Sequence, residues 1–82
     1  LVQSASEAVR DERSLITAHR ALKIVKVIND NEAFLYRLMF DGQFDYLVQD
    51  LLTIKEDILE RYDVQDRNVE IEIAKLEKEL DL

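Results

Sequence analysis

Proline is absent from this chain and glycine occurs once, at Gly42, in 82 residues. Sandwiches and barrels need turn residues every ten residues or so, and this chain does not supply them. Long helices joined by few breaks are the economical reading. Apolar residues make up 48% of the chain and charged residues 35%, a globular balance and not a disordered one. A chain of this length buries only about 60% of the surface exposed by its unfolded form, so its own core is marginal. One helical domain spanning 1–82 is expected, with helices at about 5–29, 32–40, 43–62 and 66–80.

Ser4 and Glu7 have capping-box spacing, placing a helix start near Ala5. Leu15, Ala18, Leu22 and Val25 then recur on one helical face, with Arg10, Arg13 and Arg20 on roughly the opposite side. From Leu22 to Ile28 only Lys23 and Lys26 are polar. A helix apolar over most of its circumference is buried on more than one side. The same run is β-branched enough for a strand, but the chain holds no second convincing strand to pair with it.

Asn29-Asp30-Asn31 is the clearest break, and Asn29 with Glu32 repeats the capping-box spacing. The short helix that follows contains Phe34, Leu35, Tyr36, Leu38, Met39 and Phe40, the densest apolar and aromatic patch in the chain. Gly42 suits the left-handed position after a helix C-terminus. Phe44, Leu47, Leu51, Ile54 and Ile58 step three and four residues apart, a heptad-type seam widened to a core-facing stripe by Val48, Leu52 and Leu59. Tyr62, Val69, Ile73, Leu76 and Leu80 form a second seam out of phase with the first. Either one long helix carries a stutter, or the chain breaks near Asp63 to Asp66, and the two aspartates as candidate N-caps favour the break. Asn68 to Ile73 alternates like a strand, whereas Lys75 to Leu80 is helical in pattern.

The expected fold is therefore all-α: a small bundle of three to four helices with a long antiparallel helical hairpin. Its apolar stripes exceed what one small bundle needs, so a homo-oligomer is expected.

The charge is −7 overall and unevenly spread. Residues 1–30 hold five Lys/Arg against four Asp/Glu, and residues 31–82 hold six against fourteen. General nucleic-acid binding is disfavoured. Without cysteine there are no disulfides, thiolate nucleophiles or Cys-based metal sites, which fits a cytoplasmic protein. No apolar stretch is long enough to span a membrane, and no signal peptide is expected. Since the chain does not begin with Met, Leu1 to Gln3 read as a trimmed or tagged start.

Catalytic, cofactor and metal sites are expected to be absent. His19 is the single histidine, and proximity to Ser14 and Asp11 on a helix is what chance gives. The carboxylates form neither a Glu-x-x-His motif nor a calcium loop, and one glycine cannot build a phosphate cradle. They read as a solvated face, with pairs such as Glu56–Glu60–Arg61 and Glu70–Lys75.

The expectation is a non-enzymatic interaction protein, a small regulator, inhibitor or adaptor, that binds a protein partner through Phe34, Leu35, Tyr36, Met39 and Phe40. Composition associates such chains with bacterial and bacteriophage accessory proteins. The alternative is nucleic-acid or small-anion binding, or contact with an acidic partner, through Arg10, Arg13, Arg20 and Lys23. Weighed against that is pairing of this basic face with the protein's own acidic helices.

Overall fold

A computed structural model describes the backbone of residues 2–82 and the side chains of residues 12–82. The Ser4–Glu7 capping pair and the Arg10 guanidinium lie outside the described side chains. The described residues form four helices and no strand: α1 (Val2–Asp30), α2 (Glu32–Asp41), α3 (Asp45–Arg61) and α4 (Val69–Glu79), with a 3₁₀ turn at Asp66–Asn68 leading into α4.

The β-branched run Leu22–Ile28 is helical and lies wholly within α1. Its side chains serve two cores. Leu22 and Val25 pack with Val69 and Ile73 of α4, beside Ile58, Leu59, Val64 and Leu76. Ile28 packs with Leu35 of α2 and Val48 of α3, beside Leu38, Met39 and Leu52. α1 is thus the common wall of both clusters. Along α1 from Asn29 through Lys26 to His19, the polar partners are Asp66, Glu70 and Glu77. Partner numbers rise as α1 numbers fall, so α4 runs back along α1.

The breaks form by side-chain and backbone chemistry that differs in detail from the sequence expectation. Asn31 sits before α2, but its amide donates to the Val27 carbonyl of α1 at 2.8 Å and leaves the α2 N-terminus without a side-chain cap. Asn29 stays inside α1, so the Asn29–Glu32 box does not form. Gly42 takes φ +79° and donates its N–H to the Met39 carbonyl, the left-handed stop its position implied.

The chain does break between α3 and α4. Asp63 does not cap α4; it adopts φ 52°, the left-handed position that ends α3. Asp63 N–H bonds to the Glu60 carbonyl and Val64 N–H to the Leu59 carbonyl, the paired bonds of a Schellman motif. Val64 and Leu59, the two side chains such a motif brings together, both pack on the α1–α4 core. Asp81 repeats the arrangement after α4, with φ 60° and Leu82 N–H on the Glu77 carbonyl.

The α3 seam is displaced from its expected place. Its inward line is Val48 and Lys55, buried, with Leu52 and Leu59 half-buried; of the expected seam Ile58 is half-buried on the core, whereas Phe44, Leu47, Leu51 and Ile54 are exposed. The heptad spacing was legible, but spacing alone does not say which flank of the stripe meets the molecule's own core. In the second seam Val69 and Ile73 are buried as expected.

Two substitutions test this packing. Leu22→Ala removes a side chain that is 1% exposed between two helices and should cost about 2–5 kcal/mol in urea unfolding. Asp63→Gly relieves a left-handed non-glycine residue and should gain about 0.5–1 kcal/mol with α3 unchanged in length.

Candidate functional site

Serving two cores leaves α1 with a third apolar face. Residues three and four apart share a helix face, and Arg20, Ile24 and Val27 fall together on the side turned away from α4. Ile24 is 50% and Val27 60% exposed. Leu51 of α3 and Phe34 of α2 complete the lining of an open groove of about 510 Å³, with Ile28 and Leu35 along its floor and Arg20 and Lys23 at its rim. A smaller recess of about 300 Å³ lies further along the same two helices, between Thr17 and Ala21 of α1 and Ile54, Asp57, Ile58 and Arg61 of α3, with Tyr62 at its end. Both lie along the crevice between α1 and α3, as two recesses with separate linings to which Ile24, Val27, Leu51, Ile54 and Ile58 contribute aliphatic side chains.

The expected partner-binding residues divide. Phe34 lines the groove and is 58% exposed. Leu35 is taken up by the core and meets the groove only along its floor. Met39 is half-buried, and packs on the α2–α3 core. Tyr36 and Phe40 are exposed, Phe40 at 91%. With Phe44 and Tyr46, also exposed, they give the α2–α3 corner an aromatic surface.

Sequence reasoning missed Leu47, Leu51 and Ile54 as surface residues by assigning their seam to the core. The signal that could have found the groove was the Leu22–Ile28 run, whose apolar circumference exceeds what two neighbouring helices cover.

Of the basic set, Arg13, Arg20 and Lys23 are exposed on α1, and among the described residues none takes part in an ion pair. Lys26 differs: it pairs with Asp30 at 3.0 Å and Glu70 at 3.6 Å, and its pKa is raised, chiefly by the Asp30 hydrogen bond. On the acidic side, Lys75 pairs with Glu72 and not with Glu70.

Asp66 joins three elements through its carboxylate. One carboxylate oxygen accepts from Asn29 Nδ2 at 2.8 Å, and the other meets Lys55 Nζ at 2.9 Å. Lys55 is buried at 9% exposure, so α1, α3 and the 3₁₀ turn before α4 converge on this carboxylate. The Lys55 hydrogen bond holds the Asp66 carboxyl below its ordinary value, with a lesser contribution from Asn29. Asn29 Oδ1 is buried without a partner.

His19 lies buried between α1 and α4, with Nε2 3.3 Å from Glu77 Oε1. No group of three or more His, Asp or Glu suited to a metal ion occurs among the described residues, and no helix among them is long and apolar enough to cross a membrane. Comparison with family models, curated proteins and solved structures returns no match.

Asp66→Asn should lower stability at neutral pH by about 1–2 kcal/mol, because a buried ammonium loses its counter-ion while the half-exposed carboxylate was partly screened by water. A depressed carboxylate pKa stabilises the fold above the unfolded value of about 3.9 and ceases to do so as pH falls through the folded value. Urea unfolding from pH 7 to 3 should therefore show the wild type losing this contribution at the acid end and the variant lacking it throughout.

Proposed function

We propose that this chain is a non-enzymatic helical interaction protein, a small regulator, inhibitor or adaptor, that binds a protein partner through its apolar crevice and aromatic corner. The observation that carries the reading is the surplus face of α1 and α3. Ile24, Val27, Phe34, Leu51 and Ile54 are each more than a third exposed; the first four line the larger groove, and Ile54 lines the smaller recess between the same two helices. Contiguous apolar surface of this kind, rimmed by polar residues, marks interaction sites on small proteins. Phe34, Tyr36 and Phe40 supply large side chains that gain most from burial against a partner. The proposal includes homo-oligomerisation and a cytoplasmic setting.

The same reading takes α1 and α3 as an antiparallel hairpin. Ile28, near the end of α1, shares a core with Val48, near the start of α3. Thr17, a few turns earlier in α1, shares a recess with Tyr62 just past the end of α3.

A second reading, binding of nucleic acid or a small anion through Arg13, Arg20 and Lys23, draws on their exposure and on their taking part in no ion pair among the described residues. A net charge of −7 weighs against it. Arg10, the fourth residue of that set, belongs to this reading by sequence alone.

Affinity capture from the source cells, comparing wild type with Phe40→Ser, tests the first reading. Phe40 is 91% exposed, so the variant should unfold within about 0.5 kcal/mol of the wild type while retaining at most a tenth of the captured partner. Full retention of the partner, or a parallel loss of stability, would sink the reading. Capture that instead collapses between 50 mM and 300 mM salt, and is lost when Arg13, Arg20 and Lys23 are changed to Ala, would favour the second.

A further inference from the structure

We propose that the crevice between α1 and α3 is filled by the same crevice of a second copy of this chain, about a two-fold axis running along the two helices. The inference rests on reading the crevice as a protein-binding surface, and names its occupant.

Three observations bear on the occupant. The first is the shape of the apolar surface. Leu47, Leu51 and Ile54 on α3 follow three–four spacing and are all exposed. Such a seam packs against another helix at a shallow crossing angle. Ile24 and Val27 of α1 provide the matching apolar ridge beside it.

The second is exposure. With Phe34, these side chains are 37–60% exposed, an apolar set suited to the centre of an interface whose rim is polar.

The third is charge, and it selects the symmetry. The α1 wall carries Arg20 and Lys23. The α3 wall carries Asp57, and Asp50 stands seven residues earlier on the same helix edge. A two-fold axis in the interface plane has two orientations relative to the helices. Across them, it would set α1 on α1 and α3 on α3, basic against basic and acidic against acidic. Along them, it sets α1 of each copy on α3 of the other, so that Arg20 and Lys23 meet Asp57 and Asp50 of the second copy twice over. Arg61 also lies on the α3 side, but at the Tyr62 end of the crevice with Thr17, away from the Arg20–Lys23 stretch. An unrelated amphipathic helix would have to carry acidic residues on one edge and basic residues on the other to match both walls. A second copy matches them by symmetry.

The orientation has a consequence for target binding. An axis along the helices leaves both α2–α3 corners at the same end of the pair. Phe40 and Tyr46, 91% and 67% exposed, would then be presented in duplicate, as a bivalent aromatic surface.

The chain has no cysteine, so introduced thiols are unique. Arg20→Cys and Asp57→Cys chains, prepared separately, should form a disulfide-linked species when mixed under oxidation and little when oxidised alone. Sedimentation equilibrium of the wild type at tens of micromolar should give the mass of two chains. Leu51→Glu should weaken association at least tenfold with helical circular dichroism retained. A single-chain mass at every concentration, or Arg20→Cys linking to itself in preference to Asp57→Cys, would overturn the proposal. A monomer that still loses its captured partner on Phe40→Ser would refute the pairing alone and leave the protein-binding reading standing. A dimer indifferent to Phe40→Ser would do the reverse.

Discussion

The run from Leu22 to Ile28 sets the terms for the rest of the molecule. Five of its seven side chains are aliphatic, and a helix distributes them around most of its circumference. Two flanks are covered from within the chain: Leu22 and Val25 by α4, and Ile28 by α2 and α3. Ile24 and Val27 receive no such cover. With three short helices available to one long one, the chain closes two cores and leaves an apolar crevice beside them. That surplus is a cost to an isolated 82-residue chain, which has little core to spare, and an asset to one that associates.

A polar joint fixes how the two cores meet. Asp66 takes a hydrogen bond from Asn29 and an ion pair from Lys55, tying the entrance to α4 to both longer helices. Lys55 occupies a line on α3 that is otherwise apolar, among Val48, Leu52 and Leu59. A buried cation there is tolerable only while its counter-ion stays in place, so the joint selects one placement of the 3₁₀ turn over neighbouring ones. The Schellman stop at Asp63, with Val64 folded onto Leu59, delivers the chain to that position.

The helical class, the break at Asn29–Asn31, the left-handed glycine and the break near Asp63 were legible because each depends on local chemistry: periodicity, side-chain competition for backbone groups, and freedom at positive φ. The side of α3 that faces inward was not legible. A stripe containing Phe44, Leu47, Leu51 and Ile54 and a stripe containing Val48, Leu52 and Leu59 are both apolar and overlap, and tertiary packing chose the second. Asn29 and Asp66 carry the local signal of caps, because Asn and Asp side chains bond nearby backbone N–H groups. Their partners, 37 residues apart along the chain, come together only once α4 folds back on α1. The same holds for His19 and Glu77. Of the aromatic patch, residue type marked it as a surface of interest, but only the fold separates Leu35 and Met39, held by the core, from Phe34, Tyr36 and Phe40.

The proposed pairing covers the face carrying Ile24, Val27, Leu47, Leu51 and Ile54 with another copy. Methyl-resolved NMR over a dilution series from millimolar to micromolar concentration tests it most directly. Pairing gives concentration-dependent shifts at these methyl groups, with Val25 and Val69, already closed off inside one chain, unaffected. Spectra that do not change over that range, or changes that avoid the α1–α3 crevice, would contradict it.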